Sequence, residues 1–136
     1  MGTWGSGIFD NDTASDWAFG LEGTSDTALI DAALNAVLEV GGEYLEAPVA
    51  EEGLAAAETV ARMKGQWGVR DAYTEPMDTW VERYNRPPSG DLIRRALAVV
   101  DRVVSEPSEL LELWTEGDDA DAWKASIADL RTRLGA

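Results

Sequence analysis

Hard oxygen donors crowd the first helix-forming segment of the chain: Asp10, Asn11, Asp12 and Asp16. Carboxylate and amide oxygens at this density could bind Ca²⁺ or Mg²⁺. The EF-hand pattern fails, however, because its sixth position would be Ser15 instead of glycine and its twelfth would be Leu21 instead of glutamate. Helix capping explains the same side chains, since Asn and Asp accept hydrogen bonds from the first free N–H groups of a helix. We therefore predict a cap here and keep Asp10, Asp12 and Asp16 as weaker candidates for metal ligands.

Aromatic and basic side chains supply the other candidates for ligand contact. Trp4 stands among glycines, where it either anchors an N-terminal arm or contacts a ligand. Trp67 follows a predicted helix in irregular chain, so it is the tryptophan that we most expect to be partly exposed. Arg83 and Arg86 belong, with two arginines further on, to the one local excess of positive charge. They could bind a carboxylate or another anion, but pairing with nearby acidic residues is the reading that we favour.

The composition excludes several kinds of chemistry. The 136 residues include no cysteine and no histidine, so thiol and histidine catalysis are impossible. Any enzyme would have to use carboxylates, Arg, Lys, Tyr or an oxygen-bound metal. We assign no catalytic residue and no cofactor, and the sequence points away from an enzyme.

The net charge of −15 sets expectations about partners. A surface this negative disfavours nucleic acid and anionic membranes and suits a basic protein partner. No signal peptide and no apolar run of membrane-spanning length are visible, so we expect a cytoplasmic protein. Arginine outnumbers lysine nine to two, which is typical of a GC-rich bacterial genome.

Apolar periodicity and capping residues predict an all-α fold. We expect a single domain over residues 1–136, an irregular bundle of six or seven helices with an extended Gly/aromatic N-terminal arm. The second helix is apolar around most of its circumference, so we place it at the centre of the bundle. The predicted helices cover 12–21, 26–40, 48–63, a short segment opening at Pro76, a segment from the Ser89 cap to 105, 108–115 and 119–134.

The opening residues also carry a family likeness. Trp4-Gly5-x-Gly7-Ile8-Phe9-x-Asn11-Asp12-x-Ala14-x-Asp16-Trp17 resembles the signature of the domain-of-unknown-function family 4259 (DUF4259). The later runs Ala55–Glu58, Ser108–Trp114 and Trp123–Arg131 resemble the same family, so the likeness covers nearly the whole chain. It implies a small, mostly bacterial protein and brings no established activity, cofactor or catalytic residue.

Three hypotheses about function follow. The first is a small acidic interaction module that neutralises or regulates a basic protein partner. The second is a protein that binds a small molecule or a divalent metal, conceivably a carboxylate-based hydrolase, with its site near Asp10–Asp16 and Trp67. The third is a structural or oligomerisation domain, and the sequence does not fix the oligomeric state.

Overall fold

The computed structural model describes Thr3 and residues 5–136. Across this part of the chain the fold is a single bundle of seven helices without a strand, as predicted. None of these helices combines the length and apolar character needed to cross a membrane. Predicted and observed bounds agree to within about two residues, the usual uncertainty of a helix end. The helices are α1 (Asp12–Glu22), α2 (Ala28–Leu38), α3 (Ala47–Met63), α4 (Glu75–Tyr84), α5 (Gly90–Val103), α6 (Glu109–Thr115) and α7 (Ala120–Gly135).

The centre of the bundle is α3, and our placement of α2 there was wrong. Helix α3 packs against all six other helices, whereas α2 packs mainly against α3 and α5. Ala32, Asn35 and Ala36 leave one side of α2 exposed. Helix α3 can be surrounded because its many alanines and Gly53 let neighbouring backbones approach closely. Its buried polar residues, including Glu58 and Arg62, lower its apparent apolarity in the sequence.

The described part of the N-terminal arm is a turning loop and is not extended as expected. Thr3 forms an isolated antiparallel bridge with Asn11, and the chain between them contains bends and turns. The Asp10 Oδ2 atom accepts a hydrogen bond from the Gly7 N–H at 3.0 Å. A Cβ at Gly5 would lie 2.5 Å from the same oxygen, so the loop can close around Asp10 only without a side chain there. Phe9, as predicted, packs into the core.

Asn11 is the residue that caps α1. Its Oδ1 atom accepts a hydrogen bond from the Ala14 N–H at 2.8 Å, and its backbone is extended, as an N-cap requires. Helix α2 starts later than the predicted residue 26. That helix begins at Ala28, whose N–H donates to Asp26 Oδ1 at 3.0 Å. The turn before the helix is therefore two residues longer than predicted.

Replacing Asn11 with alanine is expected to lower the free energy of unfolding by about 1 kcal/mol, the usual effect of losing an N-cap. Asp12→Ala is the matched comparison. Asp12 is exposed in the first turn, and no hydrogen bond or ion pair joins its side chain to another described residue. Its loss should therefore remove only a favourable interaction with the helix dipole and have a smaller effect. Urea unfolding followed by tryptophan fluorescence measures both. A larger loss in Asp12→Ala than in Asn11→Ala would contradict the assignment of the cap.

Candidate functional site

A buried network of ion pairs connects three helices. Glu58 and Arg62 lie one turn apart on α3, and Arg62 Nε donates to Glu58 Oε2 at 2.8 Å. Arg62 Nη1 reaches Asp78 Oδ1 on α4, also at 2.8 Å. From α7, Arg133 donates through both terminal nitrogens to Glu58, at 2.6 and 2.7 Å. Glu58, Arg62 and Asp78 are 2%, 3% and 4% exposed, so the charges lie in the protein interior.

The network is stable because its hydrogen-bonding groups are satisfied. Arg62 Nη2 donates to the Val69 carbonyl at 2.7 Å, and the Thr74 hydroxyl donates to Asp78 Oδ2 at 2.7 Å. A buried charge is tolerated only when its partners replace the lost water, and here they do. The bidentate contact with Glu58 raises the pKa of Arg133 despite its partial burial, so this guanidinium stays charged.

Trp67 covers the edge of the network. Its ring lies under the Arg70 guanidinium at 4.3 Å and within 5.8 Å of the Arg62 guanidinium. Arg70 also approaches Asp78 at 3.5 Å and pairs with Glu82 at 3.0 Å. The irregular chain after α3 is therefore held by cation–π contacts and ion pairs. As expected, Trp67 is neither fully buried nor fully exposed.

A cavity of about 170 Å³ lies directly above this network. Glu58, Arg62 and Arg133 line it together with the N-terminal loop, the chain before α4 and one face of α7. We call it the acidic cavity, because three more carboxylates line it: Asp10, Asp71 and Asp129. With Glu58 it contains four carboxylates and two guanidinium groups, so its net charge is negative.

Each of these three carboxylates has one oxygen that is held by the protein. Asp10 Oδ2 accepts from the Gly7 N–H, and Asp71 Oδ1 accepts from the N–H groups of Tyr73 and Thr74. Asp129 Oδ2 accepts from Arg133 Nε at 2.8 Å. The second oxygen of each carboxylate has no hydrogen-bond donor in the described chain. Since the two arginines of the cavity already donate to Glu58, Asp78, Asp129 and backbone carbonyls, the cavity offers acceptors to a ligand and few donors.

The structure places the four predicted oxygen ligands in different surroundings. Asp10 lines the acidic cavity, Asn11 caps α1, and Asp12 and Asp16 are exposed on α1 and do not line the cavity. Among the described residues, no group of three or more Asp or Glu side chains lies close enough to hold a metal ion. The geometry of this segment is that of a loop and a helix cap, and Asp10 is the one of the four residues that lines the acidic cavity.

The predicted aromatic and basic candidates also do not come together in one site. Trp4 lies outside the described residues, and Trp67 lies beside the network. Arg83 Nη2 donates to the carbonyls of Glu22 and Thr24, both at 2.8 Å. Arg86 is exposed over the Tyr84 ring at 5.5 Å. Pairing with acidic residues, the interpretation that we favoured, is wrong for Arg83, whose partners are backbone carbonyls, and for Arg86. It is confirmed for Arg94 and Arg95, which both pair with Asp91.

Sequence reasoning missed the central residues of the site. In the sequence, Glu58 and Arg62 show only the spacing of an i,i+4 pair, and so do Asp129 and Arg133. No sequence pattern marked the first pair as buried, because Glu51, Glu58 and Arg62 follow one another at helical spacings of seven and four and so resemble a solvent-facing polar stripe. Asp78 gave no signal either, because two other acids, Glu75 and Glu82, lie on the same short helix.

Comparison with known proteins yields a family without a described activity. A family model described as a domain of unknown function (DUF4259) matches residues 2–126, which is most of the 136-residue chain. No curated protein and no solved structure matches the chain. The match includes the N-terminal loop, Glu58, Arg62 and Asp78, and ends before Asp129 and Arg133. The chain belongs to the DUF4259 family.

Proposed function

We propose that the protein is a small acidic interaction module that binds a basic protein partner, and that the acidic cavity receives a lysine or arginine side chain of that partner. One observation carries the proposal. The carboxylates that line the cavity keep free acceptor oxygens, while the arginines beneath them are already hydrogen-bonded. A cationic side chain would supply the missing donors and neutralise the excess negative charge.

The distribution of charge over the described chain supports this proposal. Ion pairs engage only seven of the 26 acidic side chains. Eight of the nine arginines hydrogen-bond to carboxylates, amides or carbonyls of this chain. Most of the protein's own cations are therefore occupied, and much of the negative charge is left for a partner.

One further carboxylate adjoins the cavity. Gly7 and Ile8 line the acidic cavity on one side and a small cleft containing Glu51 on the other. Burial and the nearby charge of Glu109 raise the pKa of Glu51, against the opposing effect of a hydrogen bond from Thr13. A basic partner that lies over Gly7 and Ile8 would reach Glu51 as well, and its cations would favour the charged form of this carboxylate.

The size of the cavity fits a cationic head group. At about 30 Å³ for each water molecule, a volume of 170 Å³ corresponds to roughly six waters. An ammonium or guanidinium group with part of its aliphatic chain fills a space of this order. No three carboxylates of the described residues form a group that could hold a metal ion, so the cavity suits a broader cation. The same chemistry would admit a small free amine, which is the second candidate function.

The test uses a probe of defined chemistry. Acetyl-arginine amide, titrated into ¹⁵N-labelled protein, is expected to shift the backbone amide signals of Gly7, Asp10 and Asp71. Acetyl-citrulline amide has the same shape without the charge and should shift none of them. The Asp10→Asn/Asp71→Asn variant keeps an acceptor oxygen for each loop N–H but loses two charges. Its affinity should fall at least about tenfold, since a hydrogen bond to a charged group contributes about 1.5–3 kcal/mol.

A matched variant separates the cavity from total charge. Asp118→Asn/Asp121→Asn removes two exposed charges that do not line the cavity, and it should bind the probe as the wild type does. Equal losses in both double variants would refute a cavity site. Pull-down with the same three proteins at low salt then tests the partner. A basic protein lost only from Asp10→Asn/Asp71→Asn supports the interaction module, and probe binding without such a protein favours the small amine.

A further inference from the structure

Arg86 differs from every other arginine of the chain. Its guanidinium lies over the Tyr84 ring at 5.5 Å, and it forms no hydrogen bond or ion pair with any described residue. The other eight arginines all hydrogen-bond to carboxylates, amides or backbone carbonyls. In a protein with a net charge of −15, a guanidinium that has no acidic partner is an unusual arrangement.

A stack of planar groups fixes the position of Arg86. Tyr84 stacks on Trp80 with ring centroids 4.7 Å apart and an angle of 10° between the planes. Trp80 is fully buried, and its Nε1 donates to the Thr24 carbonyl at 3.1 Å. The guanidinium of Arg86 contacts this pair through the Tyr84 ring. Its donors are therefore presented to solvent from a rigid support, which reduces the entropy lost when they bind a ligand.

The backbone on either side of Arg86 is also constrained. Asn85 closes α4 in the left-handed conformation with φ of 50°, and its N–H donates to the Val81 carbonyl. Pro87 and Pro88 follow directly, and proline fixes its own φ. Arg86 thus lies between a helix end and a stiff segment, so its place at the surface is set by the fold.

Arg86 forms one edge of an open groove of about 600 Å³. The groove runs between the end of α3 and the end of α4, and part of its wall is apolar or aromatic: Met63, Trp67, Val81 and Pro87. Charged and polar side chains, among them Lys64, Glu82 and Asn85, form the rest. A ligand in the groove would contact apolar surface along its body and the guanidinium at one end.

The other charges of the groove already have partners. Glu82 pairs with Arg70 at 3.0 Å, and Arg62 is held by Glu58 and Asp78. Lys64 donates to the Leu134 carbonyl and to the Ala136 oxygen. Arg86 is the one arginine lining the groove whose donors are free in the described chain, so the groove selects an anion.

We propose that this groove binds a carboxylate that carries an apolar or aromatic group, with the carboxylate on Arg86 and the apolar group against Trp67. A guanidinium presents parallel N–H donors that match the two oxygens of a carboxylate. A free phosphate has no apolar group to place against Trp67. The inference does not depend on the proposed function, since it concerns a different site and a ligand of opposite charge.

The experiment compares three probes by NMR on protein labelled with ¹⁵N. 3-Phenylpropanoate is expected to shift the Trp67 indole N–H and the Arg86 Nε–H signals at millimolar concentration. Its neutral analogue 3-phenylpropanamide lacks the carboxylate, and inorganic phosphate lacks the apolar group, so each should bind at least about tenfold more weakly. Binding of the amide or of phosphate as tight as that of phenylpropanoate would overturn the proposed ligand class.

Two arginine variants test the position of the site. Arg86→Gln removes the charge while keeping a polar side chain, and its affinity for phenylpropanoate should fall at least about tenfold. Arg94→Gln removes an equal charge from an exposed arginine that pairs with Asp91 and does not line the groove, and its affinity should be unchanged. Both side chains are exposed, so both variants should fold. Undiminished binding in Arg86→Gln, or no shift of the Trp67 and Arg86 signals in the wild type, would overturn the proposal.

Discussion

Replacing Arg62 with methionine is expected to lower the free energy of unfolding by about 3–5 kcal/mol, the range for removing one partner of a buried ion pair. Methionine fills a similar volume, so the loss comes from charge and hydrogen bonding more than from a cavity. Glu58 would keep Arg133, but it would lose the contact at 2.8 Å from Arg62 Nε. Asp78, which is 4% exposed, would keep only the Thr74 hydroxyl and a longer approach from Arg70 at 3.5 Å.

The matched control is Arg131→Met. Arg131 makes two hydrogen bonds to Asp101, at 2.7 and 3.2 Å, but both side chains are about half exposed. An exposed pair of this kind contributes about 0–1 kcal/mol. Urea unfolding followed by tryptophan fluorescence measures both variants. Equal losses in the free energy of unfolding of the two variants would show that burial does not increase the contribution of the Arg62 ion pairs to stability.

A second variant identifies the cause of the loss. If the uncompensated charge of Asp78 is the main penalty, Arg62→Met/Asp78→Asn should recover part of the stability lost in Arg62→Met. Asparagine can still accept the hydrogen bond from the Thr74 hydroxyl, so that contact survives. If the double variant is less stable than Arg62→Met, the main loss of stability comes instead from the contact that Glu58 loses with Arg62.

The helices were predictable because local features set them. Asn11 and Ser89 accept hydrogen bonds from the N–H groups of Ala14 and Leu92, and these contacts lie within three residues along the chain. Apolar periodicity and proline positions act over similarly short distances. The helix bounds depend mainly on such local interactions, and so a single sequence was enough to place them.

The centre of the bundle and the site were not predictable in the same way. Ranking helices by apolarity favoured α2, because Glu58, Thr59 and Arg62 make α3 look like a surface helix. Their burial depends on Asp78, 16 residues beyond Arg62, and on Arg133, 75 residues beyond Glu58. An i,i+4 pair has the same sequence pattern whether water or two further helices surround it. Only the tertiary structure distinguishes these cases.

Replacing Gly53 with alanine is expected to lower the free energy of unfolding by about 1–3 kcal/mol, the usual effect of overpacking a core. In an exposed helix the same change would stabilise the protein, since glycine is about 1 kcal/mol worse than alanine there. At Gly53 the new Cβ would lie 2.5 Å from Val37 Cγ2 on α2 and 3.2 Å from Val99 Cγ1 on α5. Val37 and Val99 are fully buried, so neither can move aside freely.

Gly20→Ala is the matched control, and Val37→Ala locates the clash. Gly20 lies in α1, is exposed, and a Cβ there would meet only Leu29 Cδ2 at 3.7 Å, an ordinary contact. That variant should gain about 0.5–1 kcal/mol.

Val37→Ala alone should lose stability by opening a cavity, but combined with Gly53→Ala it should lose less than the sum of the two single changes. Additive losses would show that Val37 is not the side chain that excludes a Cβ at position 53. A stabilised Gly53→Ala would contradict the close approach of α2 to α3 that makes α3 the central helix.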